Sequence, residues 1–483
     1  TSFIYRENWK SQVLKESNVK ILSNHRATPE QLPIVSRNTS GIVVIRGAAG
    51  SGKTTSALLR LTAIVNALTY RRNLNNDTTP IKTLVLSFNR TLAGYIEGLI
   101  NDSIQAKAIP VVVENDTFAN WARVHLNTPL ISDANRDSYL LNRCLSLGLD
   151  LNFVLDEIDY FRGRFRHHEL DNYLTVERTG RGLSPQVTRQ TRQFLIDVVR
   201  SYVQYLQDNQ LDDWHSQCEK MIANECLGYD IIVVDETQDF SANQIRAILN
   251  HLNEDYYLTF VIDTIQRLYP RGFTWVETGL DMRNAAYFRL GENHRNTVEI
   301  AAFAASITHG LTIDDDGSIS DFTKATRHGP KPVVCKGRYS QQVKYAIDYI
   351  KNNVNLQNES VAFLKPKGGK WFDEIEKQLT HHNLPYVTIT RNKVWSRGPE
   401  NIALSTMNSA KGLEFDHVII LGLSTANMQH QQDENDDKLQ QLRRLLAMAI
   451  SRARDSVVIG YKESEKSDLV EYFTPGTFDE IDL

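Results

Sequence analysis

The stretch IVVIRGAAGSGKTTSALL, residues 42–59, constrains the fold of this chain most strongly. It joins an apolar β-branched run, a glycine-rich turn and the start of a helical pattern, as a GxxxxGK[ST] phosphate-binding loop requires. Backbone amides of such a turn close around phosphate oxygens, and the following helix presents its positive N-terminus to the same anion. A turn of this composition that binds nothing is the alternative, but the flanking strand and helix favour an α/β nucleotide-binding fold. The predicted ATP-binding residues of the motif are Gly47, Ala48, Gly50, Ser51, Gly52, Lys53, Thr54 and Thr55.

A second motif, IIVVDETQDF at 231–240, is a buried-strand pattern that runs directly into Asp235 and Glu236. A phosphate-loop enzyme needs one acid for magnesium and one base for the attacking water. We therefore expect Thr54 and Asp235 to hold Mg²⁺, Lys53 to reach the β- and γ-phosphates, and Glu236 to act as the base. A surface turn that begins with two acids is the alternative. The implied cofactors are ATP and Mg²⁺.

Strand-like and helix-like segments alternate along the 483 residues, which favours parallel sheets and more than one core. We place a first unit at 1–285, a second at 286–483, and a helical insertion in the first at about 116–216. No apolar run reaches the length of a membrane helix, and the four cysteines show no CxxC spacing. A cytoplasmic location is therefore expected. The net charge of −4 means that any nucleic acid must bind a local basic surface.

The order of the remaining motifs resembles superfamily 1 helicases, the UvrD/Rep/PcrA group. DETQD is similar to the Walker B motif of that family, and TPEQLPIV to its Q-motif, with Gln31 placed to read adenine. VIDTIQRLYPRGFTW resembles motif III, in which Gln266 would couple the γ-phosphate to DNA. The resemblance implies two RecA-like P-loop lobes with parallel sheets.

Motifs of the second unit carry the rest of the resemblance. LGENHRNT is similar to motif IV, with Arg295 as a γ-phosphate contact and His294 where the family usually has an aromatic residue at the adenine. LSTMNSAKGLEFDHVII resembles motif V, with Glu414 near the ribose, and RRLLAMAISRARDSVVI resembles motif VI, with Arg452 as the arginine finger. An ordinary surface ion pair is the alternative for each arginine. Too few residues separate motifs IV and V for the large regulatory subdomain of the family, so we expect that subdomain to be absent.

LVLSFNRTLAGYI resembles motif Ia of the family. Aromatic and basic residues of motifs Ia and III suit a single strand, because bases stack on rings while cations follow phosphates. Core packing is the alternative for the aromatic residues Phe273 and Trp275. The arginine-rich stretch YFRGRFRHH, 160–168, is either a further basic surface or a solvated helix face. The predicted nucleic-acid contacts are Phe88, Asn89, Arg90, Tyr269, Arg271, Phe273 and Trp275.

The resemblance implies an ATP-dependent translocase or helicase on single-stranded DNA, with 3′–5′ polarity. Catalytic roles then go to Lys53, Glu236, Gln266, Arg295 and Arg452. An RNA-directed motor of the same build stays open, as does a nucleotide-gated interaction module within a larger assembly. A protein partner could supply loading or regulation.

Overall fold

Two parallel β-sheets form the framework of the protein in a computed structural model. The structure describes residues 27–47, 51–87, 109–178, 187–263, 273–291, 293–311, 325–366, 372–389, 401–411, 413–428 and 437–483. Eight of the predicted site residues lie outside these ranges: Ala48, Gly50, Phe88, Asn89, Arg90, Gln266, Tyr269 and Arg271.

The first sheet has six strands in the order β3-β2-β4-β5-β1-β6, and every neighbouring pair is parallel. Its strands are β1 (Gly41–Gly47), β2 (Ile81–Ser87), β3 (Val111–Thr117), β4 (Tyr229–Val234), β5 (Leu252–Asp263) and β6 (Ala286–Leu290). The described helices of this half are α1 (Leu32–Ser36), α2 (Lys53–Leu74), α3 (Phe118–Leu126), α4 (Asp133–Cys144), α5 (Leu151–Arg164), α6 (Arg189–Asp208), α7 (Trp214–Ala223) and α8 (Ala242–Asn250).

Strand β4 explains why the sequence carries an unbroken apolar run. Each of its residues is buried, since helices cover both faces of the sheet around it. One face packs on α2 through Ile231 and Val233, and the other packs on α8 through Ile232 and Val234. A central strand of a parallel sheet therefore needs apolar side chains in both directions.

The second sheet has seven strands in the order β11-β12-β10-β13-β14-β9-β15, again all parallel. Its strands are β9 (Val333–Lys336), β10 (Val361–Lys365), β11 (Tyr386–Thr388), β12 (Ile402–Thr406), β13 (Phe415–Ile420), β14 (Ala453–Tyr461) and β15 (Asp479–Asp482). Two further strands, β7 (Asn293–Thr297) and β8 (Ala325–Arg327), pair with each other. The described helices of this half are α9 (Val298–Thr308), α10 (Tyr339–Asn353), α11 (Phe372–His381) and α12 (Asp437–Ile450). The two parallel sheets are consistent with the predicted pair of RecA-like lobes.

Strand β6 corrects the predicted division at 285/286. It pairs with β1 from Val43 opposite Ala286 to Gly47 opposite Leu290, so the first sheet continues to Leu290. The chain then enters the second half at β7. The sequence hid this strand because β6 lies at the sheet edge, where Tyr287 and Arg289 are exposed and interrupt the apolar run.

Helices α3 to α7 fill the chain between β3 and β4, close to the predicted insertion at 116–216. Helices α4, α5 and α6 bury a core of their own, which includes Leu140, Phe161, Tyr173, Leu195 and Tyr202. Within the described ranges, no helix is long and apolar enough to cross a membrane. The absence of a regulatory subdomain in the second half stays a prediction.

Candidate nucleotide site

The two predicted nucleotide motifs meet at the carboxyl ends of the strands of the first sheet. Strand β1 ends at Gly47 and β4 ends at Val234, and the ends of parallel strands on this edge are where α/β proteins place ligands. Gly52 precedes α2 with a φ of 77°, a left-handed conformation that glycine adopts without strain. A side chain at Gly47 would stand 2.6 Å from the Ser51 hydroxyl and 2.7 Å from the Leu290 carbonyl. The backbone at Gly47 is therefore closely packed against its neighbours.

The predicted magnesium ligands lie in direct contact. The Thr54 hydroxyl donates to Asp235 Oδ2 at 2.8 Å, although the two residues are far apart in the chain. Asp235 is buried, and its Oδ1 accepts a hydrogen bond from the Glu236 amide at 2.9 Å. Burial and the neighbouring charge of Glu236 raise the pKa of Asp235 to about 7, because the site concentrates negative charge away from water.

This oxygen pair fits magnesium, which binds through one or two protein oxygens and completes its shell with water and substrate phosphates. Across the described residues, no group of three or more His, Cys, Asp or Glu could hold a metal by itself. A divalent cation at Thr54 and Asp235 would therefore take water or phosphate oxygens as its further ligands. The donor set suits a metal that arrives with a nucleotide.

Glu236, the predicted general base, has a strained backbone. Its φ of 51° and ψ of 40° lie in the left-handed region, which costs a non-glycine residue on the order of 1–3 kcal/mol and is typical of functional sites. The carboxylate is buried, and its Oε2 accepts a hydrogen bond from the Gln238 side-chain amide. Strand β4 and the following turn thus hold Glu236 in one orientation.

A lysine that the sequence did not single out reaches this acid from the other half of the protein. Lys411 Nζ lies 3.4 Å from Glu236 Oε2 and donates a hydrogen bond to Asp239. The Lys411 side chain has an exposed fraction of 0%, so this contact is excluded from water. The one available signal was its place in the motif V string, where only Glu414 was assigned a role.

Gln31 lies against the phosphate-binding turn. Its Nε2 donates to the Gly52 carbonyl at 3.3 Å, and its Oε1 accepts from the Thr28 amide at 3.0 Å. Gln31 is buried, at the start of the short helix α1. The structure therefore brings Gln31 to the nucleotide motif, and its role in reading adenine stays a prediction.

The two predicted phosphate-contacting arginines of the second half bond to adjacent residues of the chain, Arg295 to Glu414 and Arg452 to Leu413. Arg295 Nη2 donates to Glu414, and its Nη1 approaches the Ser451 carbonyl at 3.5 Å. Arg452 is buried, with Nη1 at 3.5 Å from the Leu413 carbonyl. Burial alone would raise the pKa of Glu414, but the charges of Arg295 and Arg452 more than offset it and leave that pKa below its ordinary value. Glu414 thus balances one of the two charges of this arginine pair through its ion pair with Arg295, a role the sequence did not predict. The side chain of His294 falls outside the described residues.

The structure places Phe273 and Trp275 in a core rather than on a nucleic-acid surface. Phe273 has an exposed fraction of 7% within the apolar cluster beneath α8, and the partly buried Trp275 packs on the Phe260 ring at 5.0 Å. The burial of the Phe273 ring favours core packing over base stacking, because the ring has almost no accessible face, and nucleic-acid contact by this residue stays a prediction. The core-packing alternative describes both residues.

Each arginine of 160–168 pairs with an acid: Arg166, which is partly exposed, bonds Glu219, and the other two are buried. Arg162 and Arg164 are buried and pair with Asp213 and Glu277, each through two hydrogen bonds. Glu277 follows the motif III string, so Arg164 ties the end of α5 to that segment. These arginines support the first half internally.

Comparison with known proteins supports the resemblance in the second half. Residues 396–464 match the family model of the UvrD-like helicase C-terminal domain, and this segment contains the strings assigned to motifs V and VI. A DNA helicase II from Haemophilus influenzae is 29% identical over 118 residues, a match that covers 24% of this chain and 16% of that protein. Among solved structures, the C-terminal domain of a possible DNA helicase from Lactobacillus plantarum WCFS1 is 21% identical with a TM-score of 0.29. That match covers 39% of this chain and 98% of the other.

The predicted family resemblance is confirmed by the family-model match and the sequence match to DNA helicase II, for the segments that they cover. The chain matches about a sixth of the length of its curated relative, so the match concerns one part of a larger helicase. Function for the whole chain has to be argued from its own residues.

Proposed function

We propose that this protein is an ATP-dependent motor of the superfamily 1 helicase type, which hydrolyses ATP between its two halves and moves along single-stranded DNA. The observation that supports it most directly is the approach of Lys411 Nζ to Glu236 Oε2 at 3.4 Å. Lys411 belongs to the half that matches the UvrD-like family model, and Glu236 follows strand β4 in the sheet that carries the phosphate-binding loop. One site is shared by both halves, as a motor driven by closure around a nucleotide requires.

In this proposal the first half binds and orients the nucleotide. Lys53 and the amides of the Gly47–Thr54 turn would hold the phosphates, while Thr54 and Asp235 would hold Mg²⁺. Magnesium, when bound, neutralises charge that develops on the transferred phosphate. Glu236 would accept the proton of the attacking water, since its backbone and Gln238 already fix its carboxylate.

The second half would contribute positive charge. The Leu413 carbonyl holds Arg452 and the Glu414 carboxylate holds Arg295, and these two partners follow Lys411 by only two and three residues. A chain segment of that length spans at most about 11 Å. Both guanidinium groups are therefore held on the side of the second half that faces Glu236, near Lys411. Arginine fingers of this kind are worth about 10³–10⁵ in turnover.

Single-stranded DNA is the proposed track, because the matching relative is named a DNA helicase. Polarity of 3′–5′ belongs to the proposal because the resemblance of the motifs to superfamily 1 helicases implies it. The described residues show no group that would distinguish a 2′-hydroxyl, so RNA is the alternative track.

The test is a turnover measurement over a titration of single-stranded DNA, repeated with RNA of the same sequence. We expect ATP hydrolysis that DNA stimulates by at least tenfold, and no turnover in Lys53→Ala. Lys82→Ala is a matched control, because Lys82 lies near the start of β2 in the same sheet, away from the nucleotide motifs, and binds the Leu227 carbonyl. Stimulation by RNA alone would redirect the proposal to an RNA motor. Robust hydrolysis by Lys53→Ala would remove the nucleotide-site assignment.

A further inference from the structure

Lys411 is the one cation from the second half that the described contacts place on the candidate base. Its ammonium group bridges two carboxylates of the first half, Glu236 at 3.4 Å and Asp239 through a hydrogen bond. Because this lysine is inaccessible to water, its charge is balanced by these acids rather than by solvent. A buried, paired lysine at this place calls for an explanation beyond a surface ion pair.

Hydrogen bonds tie the segment that presents Lys411 to the second sheet. Strand β12 ends at Thr406, whose hydroxyl oxygen accepts a hydrogen bond from the Ser409 amide at 3.1 Å. The Ala410 amide returns to the Thr406 carbonyl at 3.0 Å, and the Met407 amide bonds the Lys365 carbonyl at 2.7 Å. Lys411 therefore moves with the second sheet rather than independently of it.

The two contacts on Glu236 concern a single oxygen. Gln238 Nε2 donates to Oε2, and Lys411 Nζ lies nearest to the same atom. A carboxylate held at one oxygen can turn its other oxygen to an attacking water, and such orientation of a general base is worth large factors in rate. Asp239 accepts a hydrogen bond from the same ammonium group and balances part of its charge.

We infer that Lys411 is a positioning residue for hydrolysis: delivered by the second half, it holds Glu236 by Oε2 and leaves Oε1 to the attacking water. This role rests on the proposed function, since it assumes that Glu236 is the base. It makes the apposition of the two halves a condition for an oriented base. Hydrolysis would then slow whenever the second half moves away, whether or not ATP remains bound.

The experiment compares kcat and KM for ATP in the unaltered protein, Lys411→Met, Lys411→Arg and Asp239→Asn, with saturating single-stranded DNA. Binding of a fluorescent ATP analogue and thermal unfolding are measured on every variant. Lys462→Met is the matched control, because Lys462 forms an exposed ion pair with Glu465 in the same half. It should leave both constants unchanged.

We expect Lys411→Met to lower kcat by about 10- to 100-fold while KM and analogue affinity stay within about threefold. Lys411→Arg should keep most of the turnover, because it retains a cation beside Glu236. Asp239→Asn removes the second acid but leaves the lysine and Glu236 as a balanced pair, so its kcat should stay within about threefold.

Three results would overturn this role. Unchanged kcat in Lys411→Met would show that Glu236 needs no lysine, and a parallel rise in KM would show that Lys411 supports nucleotide binding or folding. A loss in Asp239→Asn as large as that in Lys411→Met would make Asp239, not Glu236, the partner that matters. Absence of turnover in the unaltered protein would instead remove the proposed function, and this role with it.

Discussion

Replacing Phe273 by alanine tests whether the aromatic residues near motif III pack in the core or stack on bases. The ring is almost fully buried between the first sheet and α8, close to Trp275 and the apolar cluster that includes Phe260. Truncating a phenylalanine in a core costs about 3–5 kcal/mol, from lost transfer energy and the cavity left behind. At about 2–4 °C per kcal/mol, this corresponds to a fall of about 6–20 °C in the unfolding temperature of the first half.

The assay pairs thermal unfolding with single-strand binding by fluorescence anisotropy. Phe273→Leu is the matched variant, because it keeps the site apolar and should cost on the order of 1 kcal/mol in stability. If the ring packs in the core, the leucine variant keeps the affinity of the unaltered protein. A base-stacking ring would contribute about 1–3 kcal/mol, so its loss would weaken binding about 5- to 150-fold. A leucine variant of normal stability with such a loss would refute the core assignment.

Further outcomes test the acid, the arginine finger and the insertion. Glu236→Gln should bind ATP normally but stop turnover, because the amide cannot accept a proton; unchanged kinetics would place the base elsewhere. Arg452→Ala should cut DNA-stimulated turnover by about 10³-fold with DNA affinity intact, while equal loss of both would indicate a structural residue. Burial alone would raise the pKa of Asp213, but its pair with Arg162 lowers that pKa below the ordinary value. The stabilisation that ionised Asp213 gives to the folded state is therefore complete above about pH 4 and lost as the pH falls below that value. The free energy of unfolding should decrease over the same acidic range, and a free energy that does not change with pH there would contradict the pair.

Local patterns predicted the strands and the nucleotide motifs. An apolar β-branched run followed by a glycine turn, or by two acids, carries its own structural context within about fifteen residues. The contact between Thr54 and Asp235 follows from that context, because parallel strands bring their carboxyl ends to one edge. Strand β6 was missed because an edge strand exposes alternate residues and so lacks the unbroken apolar run.

The ion pairs and contacts could not be predicted from the sequence, because they join side chains from distant parts of the chain. The sequence shows several arginines in residues 160–168, but only the folded structure shows that Arg162 and Arg164 are buried in pairs with Asp213 and Glu277. It shows a lysine at 411 and an acid at 236, but not that they meet. Charge balance and burial depend on which side chains share a volume, and that is a property of the packed chain rather than of spacing along it. The sequence by itself thus determined which chemical groups the site contains, and the tertiary structure determined which of them face one another.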